Sequence, residues 1–502
     1  MSKFNQKQTL PEKLTNHSDA TLNYEGAMAF ALDAKTELIT RVMTSFISED
    51  KYYTKGKIAD QDLQKAISNV LAVDPEFVLK TASFARNEMY MRSAPMFLLN
   101  EFANSGAKVP GSRKYASQCI QRADEINELM ALSISTRKKK GNKSNFIKYG
   151  IRDALNKFDR YQFGKYNRDG TVKFRDSIFI THPAPKTEAQ QLIFDDLVND
   201  NLESPDTWEV ALSTKGASKE VWEDLLARDR VPFMAMLRNL NNCIKWDVNL
   251  EPVIKMLTNP VAVRKSKQFP FRFFSAYKAL QQERNTGKNI TPLLDALNKA
   301  MELSIENLPK LPGKTLVLID VSGSMSSGKV SEKSSVTYSD ISCLFGAIST
   351  KICEQADLFP FACNTRQVFY SSTNGILDIM EKIRNANVGC STYAYLPMEV
   401  ARQQKIKYDR VILFSDMQCY GGSSWMTGGQ GFATSFIQYQ NTVNPAYLYS
   451  VDLAGYGTTQ VPKDNKKVCT IAGWSEKILS FIPMFESESA TMVKTIEEYS
   501  HN

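Results

Sequence analysis

The chain has 502 residues, enough for two to four domains at roughly 100–200 residues each. Hydrophobic residues make up 43% and charged residues 23%, which excludes a largely disordered chain and supplies a core without disulfide or metal staples. The net charge of +8 is unevenly placed: up to Lys310 there are 46 Lys and Arg against 37 Asp and Glu, and from Leu311 on 16 against 17, so the basic excess of the first part points to a polyanion partner, usually nucleic acid.

In chain order, the opening MSKFNQKQTLPEKL has no apolar signal core, so export is not expected. No run of about 18 apolar residues follows, so no membrane span is expected either. Residues 1–20 read as an N-terminal arm, and residues 21–310 read as helical. Leu32, Leu38, Ile39, Val42, Met43 and Phe46 recur at helical spacing, as do Leu63, Ile67, Val70 and Leu71, and later Leu293, Leu294, Leu297, Ala300 and Met301. Each block is about one helix long and ends in Gly, Pro, Asn or Asp. Many short amphipathic helices in series predict an α-solenoid of irregular helix pairs. The style changes at Leu308–Gly313, LPKLPG, which reads as a linker into a second domain over residues 311–502. There, Thr315–Asp320, Arg410–Asp416 and Ala446–Asp452 are strand-like apolar runs, separated by helical stretches such as Asp340–Cys353 and Gly375–Asn385. Buried strands alternating with helices predict a doubly wound parallel sheet, α/β beside the α domain. Ligands of such sheets bind beyond the carboxyl ends of the strands, where two of these runs place aspartates.

Asp320-Val321-Ser322-Gly323-Ser324 is a D-x-S-x-S loop at a strand end. Alternation brings one carboxylate and two hydroxyls to one side of a tight turn. Hard oxygen donors with room for waters suit a divalent cation, Mg²⁺ above all. Thr392 and Asp416 are the candidates for a further hydroxyl and carboxylate. Together the five resemble the metal-ion-dependent adhesion site of von Willebrand factor A domains. PGKT at Pro312–Thr315 imitates the end of a P-loop, but the earlier glycine is missing and a strand follows. A serine hydrolase is not expected: Ser322 lacks a G-x-S-x-G elbow, and the histidines are only His17, His182 and His501. The eight cysteines (Cys119, Cys243, Cys343, Cys353, Cys363, Cys390, Cys419 and Cys469) form no CxxC pair. That excludes common zinc motifs and fits reduced thiols in a cytoplasmic protein.

Helical repeats followed by an A domain, with the segments Ala27–Arg41, Tyr52–Tyr53, Thr207–Leu226 (TWEVALSTKGASKEVWEDLL), Val231–Leu240 (VPFMAMLRNL) and Phe269–Leu280 (FPFRFFSAYKAL), resemble the TROVE-module family of Ro RNA-binding proteins. The similarity runs from about Tyr24 to the C-terminus. The resemblance implies a ring-like solenoid of HEAT-like repeats over 21–310, closed by the A domain. It implies a noncoding RNA quality-control protein without catalytic activity, acting as a monomer. Y-like small structured RNAs would bind its basic outer surface, and single-stranded ends of misfolded RNAs its central hole. In bacterial relatives such an RNA can tether an exoribonuclease, and the motif variants here suggest a noneukaryotic source.

Matching the family's RNA-contacting segment onto this chain gives Lys165, Arg168 and His182, with Gly170 aligned and Thr181 where the family often has Ser. In the metal site the family's Gly-Gly-Thr stands here as Cys390-Ser391-Thr392. Further basic candidates are Arg86, Arg92, Arg264, Lys265, Lys267 and Arg272, and the run Arg137-Lys138-Lys139-Lys140 with Lys143 and Lys148. Lysines and arginines along a groove attract phosphate by counterion release, and single-stranded ends stack on aromatics or Arg planes. The FPFRFF aromatics at Phe269–Phe274 read as core packing rather than as a stacking surface. The competing reading is a protein-interaction scaffold whose A domain captures a partner's acidic residue through Mg²⁺. A metal-dependent nuclease is disfavoured, since two aspartates with hydroxyls offer no evident general base or second metal.

Overall fold

The computed structural model describes residues 19–45, 56–136, 145–167, 170–282, 289–332, 334–420, 431–461, 465–474, 478–479, 481–488 and 491–500. The chain divides into two compact units. One comprises Met1–Asp60, Leu237–Asn241 and Leu250–Lys494; the other comprises Gln61–Met236, Asn242–Asn249 and Thr495–Asn502. No helix among the described residues is long and apolar enough to cross a membrane.

The second of these units is helical. Its helices are short and individually capped, as the punctuation of the sequence predicts. Asp74 accepts from the Phe77 amide ahead of Pro75. Asp159 and Gln162 form a reciprocal box, and Thr187, Thr207 and Ser218 each cap the helix that follows. Such caps contribute about 1 kcal/mol each and set where one helix stops and the next begins. Near neighbours in sequence pack together: Pro75–Asn87 on Ser93–Ser105, Arg113–Cys119 on Phe146–Leu155, and Phe174–Thr181 on Glu188–Val198. Phe77, Phe102, Ile126, Ile151, Phe163, Phe174 and Trp222 are buried between them. A charged pair lies in this core. Glu125 is fully buried and receives both Arg86 Nη2 contacts, at 2.7 and 3.0 Å, and the amides of Gln121 and Arg122.

The other unit holds the sheet. Strands β1 (Ala20–Leu22) and β2 (Met28–Ala31) form an antiparallel hairpin. The strands β3 (Leu311–Asp320), β4 (Cys353–Phe361), β5 (Arg410–Ser415) and β6 (Tyr447–Asp452) follow, then β7 (Thr458–Thr459) and β8 (Val468–Ala472). Five strands make one parallel sheet in the order β4-β3-β5-β6-β8, and β7 pairs with the hairpin through β2. Leu316 and Leu318 face a cluster with Met398, Leu413, Phe432 and Phe436. Ile319, one residue out of phase, meets the helix Tyr338–Ile352 at Gly346. Both faces are therefore covered, and the strands carry continuous apolar runs as parallel strands do.

The helical repeats followed by a doubly wound A-type sheet are as expected, with four local corrections. The LPKLPG segment is not wholly a linker, because Leu311–Lys314 already belongs to β3. β4 and β8 went unread, since Glu354, Gln355, Asp357 and Pro360 mask β4, which the sheet places at an edge where proline is tolerated. Leu32 lies outside the first helix, which runs Ala34–Met43 behind the Asp33 cap, and the residues before it are strands. The helices from Glu251 to Ser304 pack with one another and fall in the sheet-bearing unit. In the FPFRFF segment Phe271, Phe273 and Phe274 are buried, as core packing requires. Phe46, Tyr52 and Tyr53 lie outside the described residues.

Candidate functional site

Strand β3 has β4 on one side and β5 on the other, so the chain reverses its direction of winding between β3 and β5. Connections leave these strands to opposite sides, which opens a crevice at their carboxyl ends. Asp320 ends β3 and Asp416 follows β5 directly, so both carboxylates stand at this crevice. Asp320, Ser322, Ser324, Thr392 and Asp416 are all buried. Asp320 accepts from the Ser322 amide through Oδ1 (2.9 Å) and from the Ser415 hydroxyl through Oδ2 (2.6 Å). Ser322 occupies the N-cap of the turn Gly323–Ser327 without spending its hydroxyl on a cap bond, and its Oγ lies 3.3 Å from Ser324 Oγ. The Ser324 side chain is in turn a hydrogen-bond partner of Asp416.

Backbone bonds tie the three segments together. The Gly323 amide donates to the Cys390 carbonyl (2.9 Å), and the Tyr420 amide to that of Thr392 (2.8 Å). Asp416 Oδ1 accepts from the Gln418 amide at 3.0 Å. Between them Met417 takes φ 60°, a left-handed conformation unusual for a side chain of this size, which turns the chain sharply after Asp416. Ser415 and Gln418 are parts of the site that the sequence reading missed. Both lie within two residues of Asp416 in the FSDMQ run, but their roles come from contacts that the run does not show.

The electrostatics fit a cation. Burial pushes both carboxyls above their usual range, and Asp320 pushes Asp416 further by charge repulsion. Their hydrogen-bond partners are hydroxyls and amides, and neither makes an ion pair among the described residues. Two buried carboxylates with the Ser322 and Ser324 hydroxyls beside them are hard oxygen donors of the kind Mg²⁺ takes, while Thr392 is tied in through its backbone carbonyl. Among the described residues no group of three or more His, Cys, Asp or Glu is placed to hold a metal ion, so the crevice offers two carboxylates and neighbouring hydroxyls only. A cavity of about 520 Å³ adjoins the loop, lined by Val321, Ser326, Asp340, Arg384, Val388 and Gly389 among others. Asp340 is held there by Arg384 (2.6 Å) and Lys278 (3.1 Å).

The basic candidates are not gathered into one place. In the helical unit, Lys165 Nζ lies 3.1 Å from Glu209 and 5.6 Å from the Tyr166 ring centre. His182 is exposed and closes the helix Phe174–Thr181 in a left-handed conformation, φ 47°. Arg92 is half-exposed among Asp124, Glu125 and Glu128. Arg86 is 7% exposed, and its guanidinium is engaged by Glu125 and the Cys119 carbonyl. In the sheet-bearing unit, Arg264 pairs with Glu306, while Lys265 and Arg272 are exposed. Arg168, Lys138, Lys139 and Lys140, with Arg137 and Lys143, lie outside the described residues. The structure also brings out aromatic rings flanked by cations. Arg122 lies 4.7 Å from the Tyr166 ring centre, and Arg113 and Arg152 lie 5.8 and 4.8 Å from that of Tyr149. The spacing of Tyr149 and Arg152, one helical turn apart, was the available signal.

Comparison with known proteins is consistent with this geometry. The TROVE domain family model matches residues 199–301, and the Ro60 vWA domain model matches residues 314–486. A telomerase protein component 1 from Rattus norvegicus is 42% identical over 84 residues, which is 16% of this chain and 3% of that protein. An RNA-binding protein RO60 from Deinococcus radiodurans is 24% identical over 199 residues, 37% of each chain. The chain thus spans well under half the length of these curated relatives. The crystal structure of the Deinococcus radiodurans RO (RSR) protein superposes with a TM-score of 0.63 at 16% identity. The match covers 89% of this chain and 99% of that one, a likeness of fold.

Proposed function

Since the chain belongs to the TROVE-module Ro family, we propose that it is an RNA-binding protein of noncoding RNA quality control rather than an enzyme. The observation that carries this reading is the coupling of the two family domains with a basic excess confined to the residues before Leu311. In this reading Y-like small structured RNAs bind a basic surface by their phosphates, and single-stranded ends of misfolded RNAs enter the central hole that the family resemblance implies. Exposed His182, Lys265 and Arg272, half-exposed Arg92 and Arg264 and partly buried Lys165 are the contacts proposed among the described residues, with Arg168 and Lys138–Lys140 beyond them. Arg122 and Lys165 over the Tyr166 ring group an aromatic side chain with two cations, the side-chain types that single-stranded RNA sites use. An exoribonuclease tethered through the RNA and a cytoplasmic setting complete the proposal, the latter supported by eight free thiols.

The variant Lys165→Ala/Arg168→Ala is expected to weaken RNA binding and to flatten the plot of log affinity against log salt by about one to two, close to one per lost phosphate contact. His182→Ala should weaken binding with little change in that slope. Unchanged affinity in both variants by fluorescence anisotropy would remove these residues from the interface.

Asp320, Ser322, Ser324, Thr392 and Asp416 would hold Mg²⁺. The ion would supply a positive charge at the crevice and an open coordination position for an acidic partner group. The adjoining cavity favours a second reading, a Mg²⁺-dependent protein scaffold. It predicts protein binding that survives loss of Lys165, Arg168 and His182. Because the two folded-state carboxyl pKa values are raised, their contribution to metal-free stability is full below the usual carboxylate range. It is lost as pH rises through the raised values. Mg²⁺ should therefore raise the melting temperature more at pH 8 than at pH 6. A rise that is equal at both, or larger at pH 6, contradicts the assignment.

A further inference from the structure

All eight cysteines are free thiols, and six are buried. The two exposed ones, Cys363 and Cys390, meet at one place, just past the end of β4 and two residues before Thr392. Cys363 Sγ accepts from the amides of both Cys390 and Ser391, each at 3.2 Å. The approach depends on Gly389, which adopts φ 92°, and a Cβ there would stand 2.6 Å from Cys363 Sγ. The Cys390 Cα lies roughly 1.5 Å from its own amide nitrogen, which Cys363 Sγ already meets at 3.2 Å. The Cys390 side chain is itself a hydrogen-bond neighbour of Cys363.

We propose that Cys363 and Cys390 form a hydroperoxide-reactive dithiol that closes to a disulfide beside Thr392. Cys363 is the attacking thiol, because the Ser391 side chain and two convergent amides stabilise its thiolate. Its pKa is drawn down to about 7 by bonds from Ser391 and Cys390, while burial pushes those of Cys119, Cys343 and Cys469 up to about 12. The thiolate sulfur attacks a peroxide oxygen. The O–O bond breaks, an S–O bond forms, and the departing hydroxide leaves as water with the thiol's proton. Cys390 Sγ then attacks the sulfenic sulfur: the S–S bond forms, the S–O bond breaks, and a second water leaves with the Cys390 proton. Two thiols are oxidised by two electrons in total, and one hydrogen peroxide is reduced to two waters. Closure joins the end of β4 covalently to the segment whose Cys390 carbonyl is bonded to Gly323 in the D-x-S-x-S loop.

The test is peptide mapping of the reduced full chain after a brief exposure to equimolar hydrogen peroxide, with thiol blocking and non-reducing digestion. The expected product is a Cys363–Cys390 linked peptide within one molecule, with the six buried thiols still reduced. In Cys390→Ser a sulfenic acid should accumulate on Cys363 and be trapped by dimedone. In Cys363→Ser, trapping on Cys390 should be about tenfold slower, as expected for a thiol without the acidifying amides. The proposal is overturned if no intramolecular link forms while peroxide is consumed. Equal trapping rates in the two single variants, or oxidation spread over the buried cysteines, would overturn it as well.

Discussion

Asp320→Asn is expected to abolish the Mg²⁺-induced rise in melting temperature while leaving the metal-free protein at least as stable as wild type. In the wild type, Asp320 and Asp416 are both buried, and each carboxylate costs desolvation and raises the cost of ionising the other. The amide removes one of these charges and keeps an oxygen for one of the two donors, the Ser322 amide or the Ser415 hydroxyl. The metal-free state therefore loses a repulsion and retains part of its hydrogen bonding. The metal-bound state loses its central ligand. At a hundredfold excess over the dissociation constant, Mg²⁺ should stabilise the wild type by about 2.7 kcal/mol. For a unit of this size that is roughly 4 °C of melting temperature. Differential scanning fluorimetry with and without Mg²⁺ reads both halves of the expectation. A variant that keeps the full Mg²⁺ shift places the cation elsewhere.

The second large effect lies in the helical unit. Arg86→Met is expected to cost about 3–5 kcal/mol, because it leaves Glu125 buried without its cation. Glu125 is wholly inaccessible, and its oxygens receive Arg86, Arg92 Nε at 3.3 Å and the Gln121 and Arg122 amides. Removing the guanidinium leaves a charge that those neutral amides and the half-exposed Arg92 do not compensate. The double variant Arg86→Met/Glu125→Gln should recover a large part of the loss, since a neutral amide still accepts from the Gln121 and Arg122 backbone. Urea unfolding followed by helical circular dichroism measures both. A cost below about 1 kcal/mol for the single variant would mean that the Glu125 charge reaches water. The same geometry gives Arg86 a structural occupation that its position in a basic segment does not reveal.

What the sequence disclosed followed physical lines. The D-x-S-x-S loop was legible because its chemistry is local: Asp320, Ser322 and Ser324 lie within five residues at a strand end. Asp416 was legible because apolar runs announce strands and their ends, whereas Thr392, in the segment before the helix Tyr395–Gln403, was reached through the family resemblance. Ser415 and Gln418 were not singled out, because their roles come from contacts across the sheet and after the Met417 turn. The hairpin β1–β2 was unreadable for a similar reason. Strands of three and four residues carry almost no periodicity, and β2 is completed by Thr458–Thr459 far along the chain. β4 escaped because an edge strand admits Glu, Gln and Pro, which read as breakers elsewhere. The basic residues were the least legible. Charge alone does not distinguish Arg86, locked onto Glu125, from Lys265, exposed on its helix.

RNA binding is the central claim, and a salt titration against two labelled RNAs tests it most directly. One RNA is structured with a single-stranded 3′ tail, the other a matched blunt hairpin. The reading predicts binding to both that weakens steeply as salt rises, with the tailed RNA bound more tightly. Failure to bind either RNA at low salt would contradict it, and would leave the Mg²⁺-dependent scaffold as the standing account.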